Sequence, residues 1–402
     1  MTEVQDQYEA YPYPERDPKD EKKRLITGSP SHPVEMDHFL WGGKRDWSQP
    51  LRVLVAGGGT GDGLIQIAAV MAAAGKPYQI TYLDLSRAAR AIAEQRAAVR
   101  GLTGITFVTD SLLNAAQYGP FDYIDCCGVL HHLPEPQQGF DALSAALAPE
   151  GGIGLMVYAP YGRSGVYPLQ DAFGALLAGM TPQDRLAAAR KVFKRLPKGH
   201  PFAVNPHLVD HKASDAGFYD LLLHSQDRPF TVTDLAGALE AAGLDLVNFA
   251  QPALYDLARL LPEGVTAPDG LDRIGRMAVA EELRGTIKVH VAYAVKAGRG
   301  AQVQARPADM TLVPHLIGVP PGPLAQQIAK TGTAPIRSGD EKFPEPLAKS
   351  CAPLIAMIDG RRSLAQIAAG AHLDHFAFAA QWRAIDRVLG DWGLLRYTRI
   401  SA

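Results

Sequence analysis

Residues 53–63 read Val-Leu-Val-Ala-Gly-Gly-Gly-Thr-Gly-Asp-Gly, and a helical pattern follows from Leu64 to Ala74. An apolar run cut off by glycines and followed by a helix predicts a strand, a tight turn and a helix. Such a turn brings backbone close to a ligand, because glycine carries no Cβ and tolerates positive φ. The spacing limits which ligand. Gly57, Gly59 and Gly61 fall at i, i+2 and i+4, and no register gives the i, i+2, i+5 pattern of nicotinamide and flavin sites. No Gly-Lys-Ser/Thr follows, which excludes a P-loop.

The stretch behind the glycines alternates strand and helix patterns: 52–56, 64–74, 78–84, 87–100, 105–109, 121–127, 136–148 and 152–158. Alternation of this kind predicts a parallel, doubly wound α/β sheet. Thr286 to Val295 alternates apolar and polar residues over a further long strand that arrives late in the chain. Thr231 caps a helix that ends at Gly243.

Thr81-Tyr82-Leu83-Asp84 ends a second strand in an acid, and Ile105 to Asp110 ends a third. Phe121-Asp122-Tyr123-Ile124-Asp125-Cys126-Cys127-Gly128-Val129-Leu130-His131-His132-Leu133-Pro134 closes the series. These four motifs, in this order, resemble class I S-adenosylmethionine (AdoMet) methyltransferases. The resemblance implies a Rossmann-like methyltransferase sheet with AdoMet as cofactor and S-adenosylhomocysteine (AdoHcy) as product. It implies Asp84 on the ribose hydroxyls and Asp110 near the adenine amino group. The implied cofactor set is Tyr8, Tyr13, Gly57, Gly58, Gly59, Thr60, Gly61, Asp62, Asp84, Leu85, Asp110, Ser111, Leu112, Cys127, Gly128, Val129 and His132. Val55 stands where the family usually keeps an acid that helps to hold the amino-acid end of the cofactor, and Asp62 is a candidate to compensate.

Outside the core the chain divides into an N-terminal arm (1–48), an inserted, mostly helical subdomain (161–280), a Pro- and Gly-rich linker (299–342) and a C-terminal module (343–402). The methyltransferase core occupies 49–160 plus 281–298. Three tyrosines in six residues, Tyr8, Tyr11 and Tyr13, sit among prolines in the arm, which reads as an active-site lid or as a packing arm. The insertion opens with Tyr158, Tyr161 and Tyr167 and contains a run rich in titratable side chains, Tyr219, Asp220, His224 and Asp227 among them. Methyl transfer to an amine needs groups that orient the acceptor and draw off a proton. The catalytic candidates are Tyr11, Tyr13, Tyr158, Tyr161, Tyr219 and His224, each of which has a structural reading as a half-buried hydroxyl or ring. Phe343 to Tyr397 reads as three helices with a closing strand, similar to small winged-helix-like appendages, and without a basic recognition helix it fits protein contact or dimerisation.

The balance of 40 Lys and Arg against 42 Asp and Glu gives no reason to expect nucleic-acid or membrane-surface binding. No apolar stretch approaches the roughly 20 residues of a bilayer span. Three cysteines make no disulfide framework, and a reducing cytoplasm is the expected setting. No metal site is expected. His131 and His132 point to opposite faces if they end a strand, and Cys126 and Cys127 read as buried strand residues.

The large insertion, the Tyr-rich arm and the C-terminal appendage resemble those of bacterial protein-lysine methyltransferases. The expected acceptor is therefore a protein lysine, in a chain that forms a homodimer. A small-molecule methyltransferase and a non-enzymatic AdoMet-binding regulator are the alternatives.

Overall fold

The computed structural model describes residues 8–339 and 341–400, so the first seven residues of the arm lie outside the described part. After a short 3-10 turn (Pro18–Lys22) the arm enters helix α1 (Pro33–Leu40), which is buried on every side. Strand β1 (Leu51–Ala56), α2 (Asp62–Ala73), β2 (Tyr78–Asp84), α3 (Arg87–Val99) and β3 (Ile105–Thr109) follow. Next come β4 (Phe121–Cys127), α4 (Pro136–Ala146) and β5 (Leu147–Tyr158). The glycine stretch thus forms the strand, turn and helix that its pattern predicts.

β1 is apolar along its whole length because it is covered on both faces. Leu51, Val53 and Val55 pack with α1 and α2, whereas Leu54 and Ala56 pack with α4. This is the signature of a central parallel strand in a doubly wound sheet. The order across the sheet is β3-β2-β1-β4-β5-β7-β6. The late strand is β7 (Val289–Lys296), antiparallel to both β5 and β6.

The insertion is shorter than expected. Helices α5 (Val166–Leu176), α6 (Pro182–Phe193) and α7 (Asp215–Leu223) share a separate core around Phe173, Phe202 and Phe218. Helix α8 (Val232–Ala241), strand β6 (Leu244–Phe249) and helix α9 (Arg273–Arg284) return to the main sheet, where Leu235, Leu239 and Phe249 join its core. The predicted 161–280 insertion therefore ends before Phe230. The alternation in β6 is short and sits between turn residues, which hid it.

The predicted linker is also structured. It holds β8 (Val313–Leu316), α10 (Pro321–Thr331) and β9 (Thr333–Ser338), and Leu312, Leu324, Ile328 and Ile336 enter the C-terminal core. Its prolines sit where they cost little, Pro321 in the first turn of α10 and Pro335 on a two-stranded hairpin with β10 (Glu341–Pro346). Helices α11 (Leu364–Gly370) and α12 (His375–Ile385) follow, and β11 (Leu395–Thr398) pairs with β8. The module seats itself on the chain's own arm: the Tyr397 backbone donates to His38 Nδ1, and the Thr398 hydroxyl donates to Asp37. Among the described residues no helix is long and apolar enough to cross a membrane.

Candidate active site

A cavity of about 480 Å³ opens at the carboxyl ends of β1, β2 and β4. This is where the strand order reverses and where open α/β sheets leave a crevice. Its floor is the glycine turn. A Cβ on Gly57, whose φ is +66°, would stand 2.4 Å from a Val129 methyl, and one on Gly58 would meet the Tyr82 ring at 2.3 Å. Glycine is required at both positions for backbone to line the cavity. Thr60 and Gly61, expected on the cofactor, stand behind this surface. The Thr60 hydroxyl donates to the Pro14 carbonyl at 2.7 Å, and Gly61 starts α2 in the left-handed region against Ala93.

Asp84 ends β2 beside the turn. It accepts from the backbone N–H groups of Gly59 at 2.7 Å and Ser86 at 2.8 Å, while burial holds its carboxyl above the ordinary range. Asp110 lies at the rim, where Asn114, Tyr118 and the Ser111 N–H donate to it and hold it below that range. Leu85, Ser111, Leu112, Cys127, Gly128, Val129 and His132 complete the predicted residues that line the cavity. Cys126 is buried in the sheet as expected, but Cys127 is exposed, into the cavity.

The arm forms the roof. Tyr8 and Tyr13 line the cavity, and Glu9 accepts from the Arg87 backbone N–H at 2.6 Å. Arg16 grips both oxygens of Asp62, at 2.9 and 2.6 Å, and Arg96 holds Asp62 from the other side at 2.7 Å. The pairs hold Asp62 below its ordinary range against the cost of burial, so Asp62 serves to fix the arm.

One wall is polar. Asp220, from α7, accepts from the Tyr8 hydroxyl at 3.1 Å and from the Tyr158 hydroxyl at 3.1 Å. Burial raises all three groups, so both tyrosines stay neutral and donate. His132 donates from Nδ1 to the Gln226 carbonyl at 3.0 Å, which leaves Nε2 with its lone pair. His224 stacks on that ring at 3.8 Å and accepts the Gln226 N–H at its own Nδ1. Its proton is therefore on Nε2, which faces the Tyr8 oxygen at 3.4 Å.

His132, Asp220 and His224 lie close enough to hold a metal, as do His131, His132 and Asp227. In each set one ring is unsuited. His224 and His131 both accept a backbone N–H at Nδ1, so each keeps a proton on Nε2 and offers no lone pair there.

Of the catalytic candidates, Tyr13 and Tyr158 line the cavity and His224 stands behind its wall. Tyr11 and Tyr219 stack on each other at 5.1 Å against the insertion core, away from the cavity. Tyr161 is 37% exposed and also lies off it. These three, expected at the site, are not among the residues that line the cavity: local sequence marked aromatic density, and packing chose which rings turn inward. The lining also includes residues not singled out as site residues, among them Arg16, Gly28, Ser29, Ser31, Gln66, Asp125 and Met156. Among these, Asp125 carried a signal, an acid in the middle of a mostly apolar strand whose other acid, Asp122, lies near its start.

Residues 54–153 match the family model described as a methyltransferase domain. An uncharacterized protein of a Synechococcus strain is 30% identical over 276 residues, which cover 67% of this chain and 64% of that protein, just under two thirds of its length. Among solved structures, PKMT2 from Rickettsia typhi superposes with a TM-score of 0.66 at 14% identity, covering 94% of this chain and 77% of that one. The same protein in complex with AdoHcy gives 0.64 at 12% identity, over 93% and 77%. At these identities the likeness concerns the fold.

Proposed function

We propose that this chain, whose residues 54–153 match a methyltransferase domain, is a class I AdoMet-dependent methyltransferase that moves a methyl group from AdoMet to a lysine side chain of a protein. The residues fit that cofactor: a backbone floor that any side chain would fill, and Asp84 free to accept from ribose hydroxyls. The AdoHcy held by one of the similar PKMT2 structures supports the same reading. When bound, AdoMet would supply a methyl carbon activated by its sulfonium, open to the lone pair of an amine with the C–S electron pair leaving on sulfur.

The chain's own residues have to orient the amine, exclude water and remove one proton from the ammonium. The observation that carries the choice of acceptor is the wall made by Tyr8, Tyr158 and Asp220. An ammonium there meets a carboxylate and aromatic faces at once, a combination that suits a cation with a slender stem. Tyr158 already bears the Arg163 guanidinium over one ring face at 3.6 Å, which supports the reading that this ring accepts a cation. His132 Nε2, with its free lone pair, is the group assigned to take the proton.

We read the setting as cytoplasmic, in keeping with three free cysteines, and the partner as protein. Self-association through the C-terminal module belongs to the same reading, with Phe376 at the start of α12 standing 85% exposed. Radiolabelled AdoMet incubated with the chain and a protein extract tests the function. Label is expected in a protein band and is expected to vanish when the extract's lysines are blocked beforehand. Label confined to a metabolite extract would mean a small-molecule methyltransferase. AdoHcy binding without any transfer would mean a regulatory protein.

A further inference from the structure

Two strands away from Asp84, the cavity wall carries two groups of opposite demand. Asp125, on β4, is 2% exposed, lines the cavity and receives one hydrogen bond among the described residues, from the Ser31 hydroxyl. Its Oδ1 faces Gly63, where a Cβ would come within 3.0 Å of it. A buried carboxylate with a single neutral donor is short of a cation.

Gln66, on α2, lines the same cavity and accepts the Gly28 N–H at 2.8 Å through Oε1, which fixes the amide's orientation. Among the described residues its buried Nε2 has no partner. Buried donors left unpaired are rare in folded proteins, and one that lines a cavity indicates a missing acceptor. The guanidinium of Arg16, anchored on Asp62, borders the same space. An unpaired acid and an unpaired amide donor in one cavity are complementary to an α-amino-acid zwitterion.

We propose that Asp125, with Ser31, holds the α-ammonium of the cofactor's amino-acid end, and that Gln66 Nε2 and Arg16 receive its carboxylate. The inference rests on the AdoMet reading above and names the groups that satisfy it. It also accounts for Val55. In the β1–β4 ladder Val55 and Asp125 are register partners, and both line the cavity. The acid missing from β1 stands one strand over, at the same level, and Gly63 leaves room for it.

Calorimetry on the full chain separates this inference from the reading beneath it. The ligands are AdoHcy and 5′-methylthioadenosine, which keeps the nucleoside and lacks the amino acid. Asp125→Asn is expected to weaken AdoHcy about tenfold or more and methylthioadenosine less than about twofold, as suits the loss of one charge-assisted contact. Equal effects on both ligands, or none on AdoHcy, would overturn it. Should Asp125→Asn fail to bind even methylthioadenosine, Gln66→Leu decides: selective loss of AdoHcy supports the cradle, and unchanged AdoHcy binding refutes it. A wild-type chain that bound neither ligand would instead remove the AdoMet reading itself.

Discussion

The Tyr8 hydroxyl donates to the Asp220 carboxylate at 3.1 Å, joining the N-terminal arm to the insertion over the cavity. Neither segment belongs to the sheet that holds the glycine turn. The bond closes the roof and orients the carboxylate assigned to the acceptor ammonium.

Tyr8→Phe removes that donor and the oxygen facing His224, and leaves the ring in place. A loss of about 0.5–1.5 kcal/mol is expected, or about two- to tenfold in kcat/KM for methyl transfer. AdoHcy affinity should change much less. A variant that lost AdoHcy binding and kept its turnover would show that Tyr8 serves the cofactor instead of the acceptor.

Asp84→Ala is expected to weaken AdoHcy by roughly 1.5–3 kcal/mol through the loss of charge-assisted hydrogen bonds to the ribose. The same change frees the Gly59 and Ser86 N–H groups. Calorimetry with adenine alone as a control ligand separates ribose loss from a general loosening of the turn, since adenine affinity should stay within about threefold in the first case.

Gly57→Ala should abolish measurable cofactor binding. The new methyl meets Val129 at 2.4 Å, and the backbone at φ +66° disfavours alanine. Adding Val129→Ala relieves the clash and leaves the conformational cost, so the double variant should regain only part of the affinity. Full recovery in equilibrium dialysis would show that the collision alone matters.

Arg96 is buried between Glu21 and Asp62 and ties the arm to α3. Arg96→Leu leaves both carboxylates without their shared cation, and a destabilisation of about 3–5 kcal/mol is expected from chemical denaturation. A change below about 1 kcal/mol would mean that Arg16 and Arg100 compensate.

Asp125 gives a signature in pH. Burial pushes its carboxyl up to about 6, against 3.8 for the solvated group. Between those values the folded state binds more protons than the unfolded one, so without ligand stability falls as pH rises through the window. Asp125→Asn should therefore stabilise the ligand-free chain by ~1–3 kcal/mol at pH 7.5 and have little effect at pH 4.5. Denaturant melts at the two pH values test this, and an equal effect at both would contradict it.

What the sequence by itself determined is local. A strand buried on both faces, a turn that needs glycine and an acid at the end of β2 follow from periodicity and backbone sterics within a few residues. The strands at 78–84, 105–109 and 121–127 were legible to the residue for the same reason. The tertiary structure decided what depends on packing across the chain. It brought Tyr8 and Asp220 together over 212 positions, turned Tyr11 and Tyr219 toward each other, and folded the proline-rich stretch after 299 into a core with 343–398. It also set Asp125 opposite Val55, because strand register belongs to the sheet and not to either strand alone.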